Sequence, residues 1–423
     1  MIESLMIIGL DDTDSKDGMC TTYLLAVLIE KLNAYGKVKD YPLLIRLNPN
    51  IKYKTRGNAA LAMELELKDR NDAQKVMELV IETVEKMAVF SEENTNPGIV
   101  FIGNPTPRLN KDLSEFSLRA VQDVLEIREA KELLIRHEIS HKGYKNERGL
   151  IGALAAAGFS LCGLPDHTYE LIAYREQKKY GSLREIDPGT VWSADAATHP
   201  DTWDTVDIEN KRIVFAPHSS DPILFGIRGR DEEAVRKAFS MIRSEPVERY
   251  LVYRTNQNTD MHLINATIHE VRNDRSYILS GTISKSPRTI MGGHIIFGLS
   301  ENGAHIECTA FEPTKGFRRI IRGLMIGDEV TVFGSVKAET LNLEKIKVNR
   351  LKRVELRNPV CCGKRMKSMG KEQGKRCQKC GAITKERVIE TLPRNISEGF
   401  YEVPPCARRH LSKPLIRFPF QGS

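Results

Sequence analysis

Ile7-Ile8-Gly9-Leu10-Asp11-Asp12-Thr13-Asp14-Ser15-Lys16-Asp17-Gly18-Met19-Cys20-Thr21-Thr22-Tyr23, residues 7–23, is the stretch from which the remaining sequence is best read. A short apolar strand, Leu5 to Leu10, runs into three acids within four residues. A hydroxyl-rich turn follows. Thr21 or Thr22 then opens an apolar-periodic helix through Leu24, Leu25, Val27, Leu28 and Leu32. Carboxylates at a strand end suit a hard cation such as Mg2+, which keeps water and phosphate oxygens as its other ligands. Backbone N–H groups at a helix start favour an anion. The run therefore predicts a metal–triphosphate pocket. An acidic strand-to-helix loop with an ordinary threonine cap is the plainer alternative that these residues leave open.

The 423 residues are enough for three or four domains. No window approaches about 18 uninterrupted apolar residues, which argues against a membrane span. The N-terminus lacks a basic segment ahead of its apolar run, and Asp11 ends that run, so it reads as a core strand and not a signal peptide. Cys20, Cys162 and Cys308 are scattered, whereas Cys361, Cys362, Cys377 and Cys380 cluster, with Cys406 beyond. Clustering with a C-x-x-C pair speaks for metal and a reducing, cytoplasmic setting instead of secreted disulfides. From Leu351 onward 17 Lys and Arg face 6 Asp and Glu, leaving 46 basic and 50 acidic residues in the first 350. That asymmetry points to a polyanion held at the C-terminal end of a near-neutral body.

Taken in order, residues 41–47 and 61–67 read as strands around Asn48-Pro49-Asn50, a turn signal, and Tyr53-Lys54-Thr55-Arg56-Gly57-Asn58. The latter is a compact loop of cations and backbone, able to face a triphosphate across from the carboxylates or to lie solvated. A helix is expected over 71–90, a strand over 99–102 and largely helical structure over 111–139. His137 and His141 close that pattern without a third metal ligand, which favours surface histidines. The small-residue helix around Gly149-Leu150-Ile151-Gly152 can lie very close to another backbone. Asp195 to Asp207, with Trp203, reads as a polar loop pinned by a buried indole. Alternating helices and strands over 149–243, including Phe225-Gly226-Ile227-Arg228-Gly229, suit a ferredoxin-like α+β sandwich. From about Asn265 the texture changes to short strands (278–283, 294–299, 304–310, 329–336), which fit an OB-fold β-barrel. Lys315-Gly316-Phe317-Arg318-Arg319 supplies basic and aromatic groups between them.

Cys361-Cys362-Gly363 and Cys377-Gln378-Lys379-Cys380-Gly381 resemble the two knuckles of a zinc ribbon. Adjacent residues point in different directions, so the pattern leaves open whether Cys361 and Cys362 both bind Zn2+, or whether Cys406 or His410 completes the set. The tail Ala407-Arg408-Arg409-His410-Leu411-Ser412-Lys413-Pro414-Leu415-Ile416-Arg417 is basic and studded with apolar residues, as nucleic-acid contacts are. The implied division is an α/β unit over 1–145, a ferredoxin-like unit over 146–260, an OB-fold over 261–355, a zinc ribbon over 356–392 and a basic tail over 393–423.

In this order, Gly9-Leu10-Asp11-Asp12-Thr13-Asp14, Gly18-Met19-Cys20-Thr21-Thr22, Tyr53-Lys54-Thr55-Arg56-Gly57-Asn58, Phe225-Gly226-Ile227-Arg228-Gly229, an OB-like segment and a zinc ribbon closely resemble the archaeal tRNA(Ile) 2-agmatinylcytidine synthetase family across essentially the whole chain. The resemblance implies that the α/β unit over 1–145 is an ATP-binding kinase-like domain, and that the chain is an ATP-dependent ligase that replaces the C2 oxygen of the wobble cytidine in a CAU anticodon with agmatine, through a phosphorylated cytidine. It implies that Asp11, Asp12 and Asp14 hold Mg2+ and that Thr13, Lys54, Arg56, Gly57 and Asn58 surround the ATP phosphates. Thr21 matches the family's autophosphorylated threonine. Asp166, Asp204 and Asp221 are candidates for the cationic amine, and Arg228 for substrate. The OB-fold and ribbon would grip the tRNA, and no membrane or obligate protein partner is expected. The reading from another class is a non-catalytic OB-fold and zinc-ribbon protein that only binds nucleic acid.

Overall fold

The computed structural model describes residues 5–15, 18–52, 57–103, 105–370 and 373–419. Its first half is one nine-stranded sheet built from two units of identical topology. The first comprises β1 (Leu5–Asp11), α1 (Thr21–Leu32), β2 (Gly36–Arg46), β3 (Ala59–Leu67), α2 (Ala73–Met87) and β4 (Gly98–Ile102), with strand order β4-β1-β3-β2. It then adds α3 (Pro107–Gln122), α4 (Ile127–Arg136), β5 (Ser140–Gly143) and α5 (Gly149–Cys162). The second unit follows with β6 (Thr168–Arg175), α6 (Pro188–Thr198), β7 (Thr202–Trp203), a small hairpin of β8 (Val206–Asp207) and β9 (Arg212–Ile213), β10 (Ile223–Gly229), α7 (Glu232–Met241) and β11 (Val247–Thr255). Its order is β11-β6-β10-β7. Each is a split βαβ arrangement of ferredoxin-like type. They join edge to edge where β2 and β11 run parallel, Arg254 against Leu43 and Thr255 against Leu44.

Strand alternation sorts β1 between two layers. Met6, Ile8 and Leu10 pack with α1 and α2, while Ile7 faces Val100, Ile102 and the helices α3 to α5. The helix α5 is nearly all small or apolar and fully buried along most of its length. It crosses β1 and β4 at backbone distance: a Cβ on Gly98 would lie 2.1 Å from the Gly149 carbonyl carbon, and one on Gly9 would lie 2.2 Å from the Ala153 oxygen. The expected long helix over 111–139 is instead α3, α4 and a turn into β5. His137 binds Asp112 at 2.9 Å and His141 binds the Ile139 carbonyl at 2.8 Å, so the two do not converge on a metal. The stretch expected as a loop from Asp195 begins inside α6, which Asp187 caps through the Gly189 N–H.

The second half opens with β12 (Leu263–Asn265) and a closed barrel. Its strands are β13 (Ser276–Thr289), β14 (Ile295–Glu301), β15 (Ala304–Ala310), β16 (Glu329–Lys337) and β17 (Thr340–Arg350), with β13 pairing β16 to close it and α8 (Phe317–Arg322) between β15 and β16. This is an OB-type arrangement. Beyond it lie short hairpins over 354–391 and a strand, Gly399–Glu402, that pairs with β17. The tail, expected to contact nucleic acid, is spent largely within the protein. Arg408 pairs with Asp204 and with Glu402 (2.7 Å). Arg409 donates to Asn50 Oδ1 (3.1 Å) and Ser335 Oγ (2.6 Å), and Lys413 and Arg417 reach Asp166 at 2.8 and 2.7 Å. One strap thus touches both halves of the sheet and the barrel.

The α5 crossing yields a direct test. In Gly149→Ala the new Cβ would sit 2.4 Å from the Gly98 nitrogen and 2.8 Å from the Asp11 oxygen. Alanine favours a helix by about 1 kcal/mol over glycine, yet backbone overpacking of about 1–3 kcal/mol or more outweighs it. Thermal unfolding is expected to show a lower midpoint than wild type; a higher one would mean that α5 does not press on β1 and β4.

Candidate active site

β1 ends at Asp11 and delivers three acids to a pocket between the sheet, α1 and α5. Asp11, Asp12, Asp14 and Thr21 line it together with Asn48, Asn58, Arg148 and Gly152, and Leu47, Ala120 and Ile151 give it apolar surface. Asp11 Oδ1 accepts the Asp12 N–H at 2.7 Å. Its other oxygen lies against α5, because a Cβ on Gly152 would fall 1.9 Å from Asp11 Oδ2. Only glycine at 152 leaves that carboxylate its place. Asp12 adopts a left-handed backbone, φ 59°, and its Oδ2 accepts the Asn96 N–H at 3.1 Å.

The third acid takes the helix start. Cys20, the residue before α1, offers no side-chain cap. Asp14 supplies one from seven residues upstream: its Oδ1 accepts the Thr21 N–H at 2.6 Å and the Thr21 hydroxyl at 2.9 Å. The buried Thr13 hydroxyl donates to Thr21 Oγ1 at 3.0 Å. The anion favoured at the positive end of the helix is therefore Asp14 itself. Burial, followed by the neighbouring Asp12 charge, holds the Asp11 carboxyl well above the usual range. Burial lifts Asp12 to about 7 against the opposing Asn96 hydrogen bonds. Crowded, desolvated carboxylates of this kind are what a divalent cation offsets.

Of the other expected residues, Gly57 and Asn58 lie beside this pocket, and Lys54 and Arg56 fall outside the described residues. Asn58 Nδ2 donates to the Asn48 carbonyl at 2.9 Å, tying the loop to the turn after β2. Asp166, Asp204 and Asp221 do not line the pocket. Asp166 holds Lys413 and Arg417, whose hydrogen bonds outweigh burial and lower its pKa. Asp204 pairs with Arg408 and lies 3.7 Å from Arg228 Nη1. Asp221 accepts from Arg184 at 3.3 Å and from the Ile223 N–H at 3.0 Å. Arg228 also reaches Glu170 at 3.3 Å and His410 Nδ1 at 2.9 Å. Asn48, Asn96, Arg148 and Gly152 are site residues that the sequence did not single out as such, although Asn48 and Asn96 stand in turn signals, Gly152 in the small-residue helix and Arg148 immediately before it.

The sulfurs of Cys361, Cys362, Cys377 and Cys380 all lie within 4.8 Å of one another. Adjacent cysteines converge because Cys362 and Gly363 are both left-handed, φ 51° and 78°, which folds the second side chain back beside the first. Backbone N–H groups of Cys380 and Lys379 lower the Cys377 thiol to about 6, as a ligating thiolate requires. Cys406 lies instead against Asp207 and Asn210. His410 is held by Arg228.

Two fused α/β sandwiches around a carboxylate–threonine pocket, carrying an OB barrel and a cysteine-knuckle module, define a multidomain nucleic-acid-modifying enzyme. Residues 7–146 match the TiaS TCKD domain, 147–262 the TiaS FLD domain and 358–396 the TiaS C-terminal zinc ribbon domain. The chain belongs to the tRNA(Ile2) 2-agmatinylcytidine synthetase family: the relative of that name from Methanosarcina mazei is 53% identical over 97% of both chains. The relative from Archaeoglobus fulgidus is 44% identical over 98% of both. A crystal structure of a TiaS–tRNA(Ile2)–ATP complex superposes with a TM-score of 0.88 at 44% identity, covering 99% of each chain. A TiaS–tRNA(Ile2)–AMPCPP–agmatine complex gives 0.86 at 41% identity over 99% of each chain.

The raised carboxyl of Asp12 makes stability depend on pH. Between its unfolded value of 3.8 and its folded value of about 7, the native state holds a proton that the unfolded chain has lost. Folding stability from this group is full below the lower value and declines as pH rises toward the upper, by at most about 1.4 kcal/mol per pH unit. Asp12→Asn should remove that decline and raise the unfolding midpoint at pH 8 relative to pH 5, measured without divalent cation. An unchanged pH profile would mean Asp12 is ionised throughout.

Proposed function

We propose that the chain uses ATP to replace the C2 oxygen of the wobble cytidine in the CAU anticodon of tRNA(Ile) with agmatine, so that the modified base pairs with A. The observation that carries this reading is the Thr21 hydroxyl held against Asp14 beside two further half-buried acids, in a chain whose full-length relatives are named for this reaction. A protein that only binds nucleic acid has no use for an acid cluster whose desolvation costs stability. The tRNA substrate makes the cytoplasm the expected location.

The chemistry assigned to each part follows from charge. An oxygen on a pyrimidine ring departs poorly until it is phosphorylated. Asp11, Asp12 and Asp14 are hard oxygen donors and fit Mg2+; when bound, the ion neutralises charge on the phosphoryl group in transit. Asp14 accepts the Thr21 proton, which makes Thr21 Oγ1 a competent phosphoryl acceptor. Thr13 fixes the orientation of that hydroxyl. Gly57 and Asn58, beside the pocket, are assigned to the ATP phosphates. Arg148 supplies a cation beside the acids. The apolar surface of Leu47, Ala120 and Ile151 suits a flat base, presented out of its stack. Phosphoryl transfer from ATP to the C2 oxygen breaks a phosphoanhydride bond and releases the remaining nucleotide; the amine nitrogen of agmatine then bonds to C2, phosphate leaves with the former C2 oxygen, and the nitrogen gives up a proton. Cys361, Cys362, Cys377 and Cys380 form the zinc ligand set, four thiolates in a structural site.

The decisive measurement is mass spectrometry of the wobble nucleoside after incubating the protein with unmodified tRNA(Ile), ATP, Mg2+ and a panel of amines. Agmatine should give the conjugated cytidine; Asp11→Ala should reduce its formation by about a hundredfold or more while keeping tRNA affinity. ATP turnover with agmatine that ignores tRNA would defeat the reading. Stripping zinc with a chelator should unfold the ribbon hairpins, as structural zinc sites require metal to fold, and weaken tRNA binding while leaving ATP binding intact.

A further inference from the structure

A second cavity, of about 320 Å3, lies where the second unit, the barrel and the C-terminal strap meet. It shares no lining residue with the acid pocket. Five carboxylates border it: Asp195 in α6, Asp204, Asp207 and Glu209 in and around β8, and Glu402 on the strand that pairs with β17. Phe317, Pro405, Pro414 and Ile416 give it apolar surface. Arg408 is the only lysine or arginine among the described residues that line it, and two of the acids share it: Asp204, and Glu402 at 2.7 Å. Asp207 is held by Asn210 at 3.0 Å and by the Cys406 N–H at 3.2 Å, and the exposed Glu209 reaches Arg319 at 3.3 Å.

Asp195 has no such partner. The residue is only 8% exposed, and no hydrogen bond or ion pair reaches its carboxylate among the described residues. Asp204 Oδ2 is also buried without a hydrogen bond, its nearest cation being Arg228 Nη1 at 3.7 Å. Burial pushes the Asp195 carboxyl up and the Asp204 charge adds to the shift, against a partial offset from His199. Burial raises Glu402 as well, against Arg408. An incoming cation would offset both costs. A single metal ion does not suit the place, because the four ribbon cysteines are the one group of three or more ligand atoms close enough for an ion among the described residues. Acids spread around an apolar cavity match positive charges spaced along an aliphatic chain.

We propose that this cavity binds a linear aliphatic polyamine, one of whose ammonium groups is held by Asp195 and Asp204. An ammonium group has three donors for carboxylate oxygens that lack them, and the methylene segments lie against the prolines and Ile416. Bound there, the polyamine supplies positive charge that Arg408 alone does not, and it fastens the strap to the second unit. The inference is independent of the reaction proposed above.

The test titrates spermidine calorimetrically into the full-length protein at low salt, alone and with saturating agmatine. One molecule should bind per chain whether or not agmatine is present. Asp195→Asn keeps the shape and removes the charge, and it should weaken binding by about tenfold or more. Without amine that variant should melt at or above wild type, since it buries no unpaired carboxylate, and its melting midpoint should rise less on adding spermidine. Absence of binding, binding that saturating agmatine abolishes, or binding unchanged by Asp195→Asn each overturns the proposal. If the variant does not fold, a photoreactive spermidine on the wild-type protein decides: labelling within residues 195–209 or 402–416 supports the site, and labelling confined to other segments overturns it.

Discussion

Everything at the acid pocket depends on how closely α5 approaches β1 and β4. Gly98 and Gly149 meet backbone to backbone, and Gly152 gives Asp11 Oδ2 the space that any side chain would occupy. With side chains in place of these glycines, α5 would stand off and Asp11 would turn to water. Tight packing instead presses the carboxylate between strand and helix, where losing its hydration raises its pKa. The same contact brings Arg148, at the head of α5, toward the acids it partly neutralises. Packing and electrostatics are here one effect: the glycines set the distance, and the distance sets the charge.

The cost of assembling those acids is met by polar contacts made elsewhere. Arg175 and Glu245 form a buried two-point pair, with both contacts at 2.8 Å, in the second unit. Tyr174 and Tyr253 share a hydrogen bond at 3.0 Å, and Tyr253 donates to the Thr22 carbonyl at 2.8 Å. That chain runs from the second unit into the first turn of α1, one residue from Thr21. The C-terminal strap acts at longer range, with Arg409 spanning Asn50 and Ser335 and so tying the turn after β2 to the barrel. Basic residues of the tail fasten the units to one another.

Local signals in the sequence were dependable, and long-range ones were not. The apolar run into Asp11, the alternation of the barrel strands and the small residues of α5 each express a local period or a local steric need, and each appears in the structure as read. The helix α6 was invisible because its buried residues, Val191, Ala194, Asp195 and Thr198, mix polar with apolar and give no face. The convergence of Cys361 and Cys362 depends on a left-handed backbone at Cys362, which no spacing rule encodes. Asp14 as cap of Thr21 was hidden by the six residues between them. The ferredoxin-like order of the first unit is a matter of which strands pair across long separations, and composition does not carry that. Nor could acids such as Asp166 be recognised as partners of Lys413 and Arg417, some 250 residues away.

The parallel seam between β2 and β11 has a mechanical consequence. Many enzymes that handle a nucleotide and a second substrate close by swinging one domain about a hinge. Here both halves belong to a single ladder, and a hinge at their junction would have to open the seam where Arg254 stands against Leu43 and Thr255 against Leu44. A continuous sheet of nine strands resists such a hinge and favours a fixed alignment of the groups carried on its two halves.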